Sequence, residues 1–592
     1  MKKNALLALL LAMALMVGLM AGCGSTAGSA PAASGEAPAE EAPAAEAEAP
    51  ADDAPAAEAP AAEAPAAEDL GSAAEEAAVE PEAEEPGEVT LEFVELPVSE
   101  EEVHYSCWMP VAPFMDLIGV SLDQFSEQIN MVKLINETTN VYIDFQAVAG
   151  GFGEDEKFNL MIAANDYCDI IGICSNYSTG IEGAIDDEVI IDIRDDLEEY
   201  APNYMNLLKS NQKAYLNMLT DSGKMGCIAQ LLKKAGTENM GMIIRKDWLD
   251  EAGMSGEPAT LEEMEQYLQY TKDTYGAYAY LQYGGQDTDW ASAFNVNPGG
   301  FMVKDGTIVH AYTTQEYQDY LAQMNDWYKK GFFNDDFYND TDITMVRYDM
   351  ANDLCSFVDY SAAGISDIYD MNPANTAMEL MAIHYPKAPG VEDIHVGFDS
   401  QLIKNADTWA ITTACDDYIP LLQLVNWLYS EEGQFMYNWG EEGVSFEYGP
   451  DGEPHWTDLI INNPDGLSYM FATYKYASGQ ATTFFPGVFD MEKGFYDPKP
   501  GQLEALDTLS ELTDGAWIID RGVQIPLELQ TEYASLTTEM STYADGEILK
   551  FILGDRDLST YDDFLSTVES MGLDRMTEIQ QIAYDTYMER LG

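Results

Sequence analysis

Residues 24–88 impose the strongest constraint on what this chain can fold into. They are almost wholly Ala, Pro, Glu, Gly and Ser, with Ala-Glu-Ala-Pro-Ala recurring, and contain no aromatic residue, lysine or arginine. Such a stretch cannot bury enough apolar surface to offset its ordering entropy, so it is expected to be disordered. Its 18 acids repel one another and its prolines favour extension, giving a reach on the order of 200 Å when stretched. Folding is therefore confined to residues 89–592, which hold all 22 Phe, 35 Tyr and 9 Trp. A region of that length exceeds what one core usually holds, so two lobes are expected.

What precedes the tract reads as a leader. Lys2 and Lys3 are followed by the apolar run Ala5–Val17, which closes on Leu19-Met20-Ala21-Gly22-Cys23. A basic start, an apolar stretch and small residues before a cut mark a secretory signal. The run is too short and too rich in alanine for a transmembrane anchor. The small-small-Cys ending resembles the lipobox of bacterial lipoproteins, which implies lipidation at Cys23. An ordinary signal peptide with an incidental cysteine is the plainer alternative. The expected plan is a signal peptide over 1–22, a lipidated cysteine and tether over 23–88, and a folded region over 89–592. It would be held at the outer face of the cytoplasmic membrane of a single-membrane bacterium by the lipid on Cys23.

The whole chain carries −78. The tract's 18 acids and the leader's two lysines leave −62 on the folded region. Nucleic acid, or an anionic bilayer as a docking surface, is a poor partner for such a body. Six cysteines follow Cys23 without a CxxC, and the five histidines are scattered without HExxH, so no metal or other cofactor is expected. Several cysteines lie in apolar, strand-like stretches such as Asp169–Cys174. They read as buried free thiols, with disulfides in an exported chain the alternative.

Along the folded region, Val89–Val94, Val103–Trp108, Val141–Phe145 and Asp169–Cys174 read as strands. Ser121-Leu-Asp-Gln124 reads as a capping box before a helix with Phe125, Ile129, Val132 and Ile135 on one face, and Glu154–Ala164 as a second helix. The β-α-β-α-β order gives an α/β class with a largely parallel sheet. Ligands of such sheets sit beyond the carboxyl ends of the strands, which places Trp108, Asn176 and Tyr177 at a cleft. Thr260-Leu-Glu-Glu263 and Thr313-Thr-Gln-Glu316 open further helices, and Gly331 can take the left-handed stop.

Glu156–Ile170, Leu197–Tyr204, Ile244–Leu249, Lys304–Tyr317, Asp407–Thr412, Leu428–Gly433, Gly440–Phe446 and Ala583–Tyr587 together resemble the extracellular solute-binding proteins of ABC importers, in the large lipoprotein branch serving oligosaccharide importers. No single motif decides this; their number and order do, from about residue 100 onward. The resemblance implies a two-lobed, periplasmic-binding-protein-like (type II) α/β fold with a hinge between lobes. It implies a monomer that binds a carbohydrate, and ABC permease subunits as partners. The lobes are expected to be discontinuous, approximately 89–230 plus 340–405 and 231–339 plus 406–592. Relatives often carry a loop after the Lys-Asp-Trp segment that looks like a calcium site. Here Tyr275–Gly285 lacks oxygen ligands at alternate positions, so calcium is not carried over.

A sugar offers apolar C–H faces and a rim of hydroxyls, which aromatic faces and amides or carboxylates match. Gly284–Gly300 has that mixture and reads as a loop, with Trp290 the foremost ligand contact and Asn295 beside it. Asp359, Trp439 and Phe485 are candidates of the same kind. The acidic pairs are too many to identify a glycosidase, and no GxSxG, Walker loop or His-based triad occurs, so the chain is not read as an enzyme. A surface glycan sensor, or a secreted glycoside hydrolase, remains the alternative to a transport receptor.

Overall fold

The computed structural model describes residues 89–591 except 113–114, 151–152, 235–239, 282–287, 335–336, 339–342, 398–401, 478–484 and 492–498; the leader, Cys23 and the tract lie outside the described residues. Its strands are β1 Val103–Val111, β2 Val141–Ala149, β3 Ile170–Ile171, β4 Cys227–Leu232, β5 Met240–Arg245, β6 Tyr278–Ala279, β7 Phe301–Lys304, β8 Thr307–His310, β9 Cys355–Ser361, β10 Leu380–Ala382, β11 Ile403–Ile411, β12 Phe446–Tyr448, β13 Pro454–Trp456 and β14 Val488–Phe489. One sheet runs β14-β4-β11-β3-β1-β2 and a second β10-β5-β9-β6, while β7-β8 and β12-β13 are hairpins. Each sheet anchors its own hydrophobic core.

The cores divide the chain as 105–232 with 403–489 in the first lobe, and 242–396 with 505–576 in the second. This corrects the expected lobes. Residues 355–361 belong to the second lobe because β9 pairs with β5. Residues 403–411 belong to the first because β11 pairs with both β3 and β4. A buried strand such as Cys355–Val358 has the same local pattern in either sheet, and only its partner decides. The chain thus passes between lobes after Leu232, before Ile403 and after Phe489.

Local chemistry explains most of the elements. Thr260 Oγ accepts from Glu263 N at 3.2 Å, while the Glu263 carboxylate reaches back past the cap to accept from Ala259 N at 2.9 Å, a variant of the capping box. Thr314 caps the helix Gln315–Lys330, which ends on Gly331 at φ 69°. Ser121 does not cap with its side chain. A short 3-10 turn and the helix Phe125–Gln128 end at Ile129, whose extended backbone starts the next helix, Asn130–Thr139. Val89–Val94 forms no strand. Instead the Asn203 amide takes Glu92 N at 2.6 Å and gives to Glu92 O at 2.9 Å, standing in for a neighbouring strand. All six cysteines of the folded region are buried, and none is in a disulfide. No described helix is long and apolar enough to cross a membrane.

The last helix, Leu573–Leu591, is rooted in the second lobe, where the Gln581 side chain bonds Ile308 N and Gly306 O around the β7-β8 turn. Its end reaches the first lobe. Arg590 pairs with Asp221 at 3.0 Å and donates to the Leu216 and Leu219 carbonyls, capping the helix Gln212–Asn217, and Tyr587 bonds Asn217. This cross-lobe brace favours the arrangement seen here. Arg590→Ala is expected to shift the ligand-free population about fivefold toward other lobe arrangements, about 1 kcal/mol. Distances between a fluorophore pair, one per lobe, would report it; an unchanged distribution would show that the brace sets nothing.

Candidate functional site

Strand direction locates the site. β1, β2 and β3 are parallel and end at Val111, Ala149 and Ile171. β11 is antiparallel to β3 and to β4, so its amino end and the carboxyl end of β4 lie at that same edge. These are the points where the chain enters and leaves the lobe. In the second sheet β6 and β9 are parallel, and the carboxyl end of β9, Ser361, pairs with Met240, the first residue of β5 after a crossover. In both lobes, then, the parallel strands end toward the crossovers. An open α/β sheet binds at that edge, outside its carboxyl ends.

On the first lobe this edge carries the turn Gly172–Tyr177. Ile173 has φ 51°, a left-handed conformation unfavourable for a β-branched residue. Its neighbours Cys174 and Ser175 give their amides to the Asp407 carboxylate at 2.9 and 2.7 Å. Exposed Asn176 donates to Asp155 at 2.7 Å, in the first turn of the helix Glu154–Ala164 that follows β2. The Tyr177 hydroxyl donates to Asp187 at 2.7 Å, and that bond, ahead of burial, pushes the phenol up to about 12.

The second lobe contributes Asp359, Tyr360 and Ser361 at the end of β9. The Arg347 guanidinium lies over the Tyr360 ring at 4.9 Å, bonds its hydroxyl and reaches Asp367 at 3.2 Å. Burial, reinforced by Asp367, pushes the Tyr360 phenol up to about 12. Burial also holds the Asp367 carboxyl above its ordinary range, with Arg347 opposing. A cation, a phenol and a carboxylate at a strand end can meet hydroxyls and an apolar sugar face together. Sequence reasoning missed Arg347 and Asp367, which have no distinguishing local pattern, and the role of Asp407, whose segment it recognised only as part of the resemblance.

Of the sequence-predicted contacts, Asn176, Tyr177 and Asp359 lie at these strand ends. The others do not. Trp290 is 0% exposed, its ring 5.1 Å from Trp327 and 4.6 Å from Phe357, with Nε1 donating to Tyr280 O at 3.3 Å. Part of its expected loop, 284–287, lies outside the described residues; Thr288–Ser292 is helical and faces the core. Trp108 is 7% exposed and packs on Phe158. Phe485 is 0% exposed against Phe145 and Trp409. Buried Asn295 donates to Asp393 O at 2.5 Å and accepts from His395 N at 2.6 Å, which makes it a loop staple. Trp439 is half-buried in a satellite cluster, 4.5 Å from Trp456, which lines a separate concavity of about 600 Å³.

Of the segment Tyr275–Gly285, where calcium is not carried over, residues 282–285 lie outside the described residues. Left-handed Gly276 ends the helix Leu261–Tyr275, β6 follows two residues later, and the Tyr275 ring stacks on Trp248 at 4.2 Å. Among the described residues no three His, Cys, Asp or Glu side chains converge as metal ligands.

Two α/β lobes whose parallel strands end toward the chain's crossovers define a two-lobed, periplasmic-binding-protein-like fold. The family profile "Bacterial extracellular solute-binding protein" matches residues 125–435, more than half of the chain. The chain belongs to that family, whose members bind solutes. It is 26% identical over 227 residues to the polygalacturonan/rhamnogalacturonan-binding protein YtcQ of Bacillus subtilis (strain 168), covering 35% of this chain and 41% of that one. It is 26% identical over 196 residues to lipoprotein LipO of the same organism, covering 31% and 37%. The chain thus matches about two fifths of the length of these curated relatives. In fold it is similar to an HMO binding, ABC-transporter associated solute binding protein from Bifidobacterium longum infantis ATCC 15697, with TM-score 0.65, 16% identity, and 83% of this chain and 99% of that one covered.

Proposed function

We propose that this chain is an extracellular, lipid-anchored receptor that captures an oligosaccharide between its lobes and delivers it to an ABC permease. The observation that carries the reading is the shared edge, where each lobe turns its parallel strand ends, with polar and aromatic side chains, toward the crossovers. Membership of the solute-binding family, and relatives named for polygalacturonan and HMO binding, support the ligand class. Cys23 would carry the lipid and 24–88 the reach, with the folded region acting as a monomer. Asn176, Tyr177, Asp359, Tyr360 and Arg347 are the proposed contacts.

Mechanistically, ligand touching both lobes stabilises the closed arrangement by contacts the open one lacks, and the permease reads the closed shape. Ligand leaves unaltered. The test is calorimetry of the chain carrying Cys23→Ser against oligogalacturonides, fructo-oligosaccharides and milk oligosaccharides, with peptides and amino acids as controls. Saturable binding of one carbohydrate set with no cleavage is expected. Binding confined to peptides or amino acids, or turnover of the glycan, would overturn the reading. A glycan sensor would bind equally, and only uptake by cells lacking the chain separates the two.

A further inference from the structure

We infer that Asp407 is the positioning residue of the ligand-facing turn Gly172–Tyr177, locking that turn to the strand that enters the lobe from the hinge. The inference rests on the reading of the strand-end edge as the ligand cleft.

Register shows why Asp407 is available. Opposite β4, β11 pairs Asn405 with Gln230 and Trp409 with Ile228, so three residues of β11 stand against one of β4. That is a bulge, and bulges re-aim side chains out of the ladder. The Asn405 side chain stabilises it by accepting from Asp407 N at 3.0 Å. Freed from the ladder, Asp407 turns to the end of β3. One carboxylate oxygen accepts from Cys174 N at 2.9 Å and from the Cys227 thiol at 3.4 Å, and the other accepts from Ser175 N at 2.7 Å.

The turn needs this anchor. β3 pairs over only Ile170 and Ile171, because Ile173 then swings to φ 51° and carries the chain off the sheet. Left-handed backbone at a β-branched residue persists only where its surroundings hold it. Beyond it, the amides of Cys174 and Ser175 have no strand to bond. A carboxylate sets a separate acceptor oxygen on each amide, whereas an amide side chain in the same pose would turn its NH₂ toward one of them. Asn176 N and Tyr177 N close back onto Ile173 O and Cys174 O at 3.0 and 2.9 Å, so the Asp407 bonds fix where both side chains project. Burial raises the Asp407 carboxyl above its ordinary range, and the bonds it accepts from the turn oppose this.

Asp407→Asn keeps the shape but offers one acceptor and turns an NH₂ toward the second amide. In the ligand-free full chain, exchange of the Cys174–Tyr177 amides is expected to accelerate about tenfold, while amides of β1 and β4 keep their rates. Affinity for whichever of the three oligosaccharide probe sets binds the unaltered chain is expected to fall about tenfold. In an Asn176→Ala/Tyr177→Ala background the same change should cost less than twofold, because Asp407 acts through the two side chains of the turn. Unchanged exchange at the turn, or an equal affinity loss in both backgrounds, overturns the inference. If Asp407→Asn does not fold, Asp407→Glu, which keeps the charge but displaces it by one methylene, is read the same way. If no probe binds the unaltered chain, the functional reading fails, and the exchange measurement alone decides the positioning role.

Discussion

Trp290→Ala is expected to destabilise the second lobe by about 3–5 kcal/mol, the range for emptying a buried Trp site. The indole is fully enclosed, set edge-on to Trp327 and in contact with Phe357 of β9, and its N–H is bonded to the Tyr280 carbonyl. Truncation leaves a cavity beneath β9, one of the two inner strands of the sheet, and removes one donor from a buried carbonyl, and neighbours locked in aromatic contacts can collapse only partly. Trp290→Phe fills most of the volume and should lose roughly half as much. Denaturant unfolding of the two variants gives the comparison. A loss below 1 kcal/mol for Trp290→Ala, with weakened glycan binding, would restore Trp290 as a ligand contact and place it outside the core.

That reversal marks where sequence reading stops. The aromatic-rich run around Trp290 has the composition of a sugar-binding loop, but composition does not say which way a ring points. Thr288–Ser292 forms a helical turn, and that turn faces the core. The α/β class, the cap at Thr260 and the stop at Gly331 were legible, because local hydrogen-bonding chemistry sets them. Asn176 and Tyr177 reached the strand-end edge because they follow a strand, and a sheet's polarity puts such residues there; Asp359 was chosen for composition and lies within the last three residues of β9. The lobe boundaries were not legible. Whether Cys355–Val358 joins the first sheet or the second depends on pairing with β5, more than a hundred residues earlier in the chain. Asp407 escaped for the same reason, since its role exists only once β3, β4 and β11 are assembled.

The segment Ile244–Leu249 shows the complementary case, a recognisable word whose physics only the fold supplies. Arg245, at 1% exposure, forks onto Asp247 at 2.8 and 2.6 Å, bonds Asp353 at 2.5 Å, and lies 4.1 Å over the Trp248 ring. One side chain thereby joins the end of β5, the helix Lys246–Glu251 and the turn before β9. Arg245→Met keeps the packed stem but leaves Asp247, largely shielded from solvent, without its cation. Breaking a buried pair from one side costs about 3–5 kcal/mol, most of it from the stranded partner. Asp353 is half exposed and regains water, so the lower end of that range, about 3 kcal/mol, is expected here. The double variant Arg245→Met/Asp247→Asn removes the stranded charge and should recover part of the loss. If the double variant is as unstable as the single, the loss came from packing against Trp248 and the ion pair holds nothing. If it recovers, the loss came from the stranded Asp247 charge, and Arg245 stabilises this lobe by neutralising it.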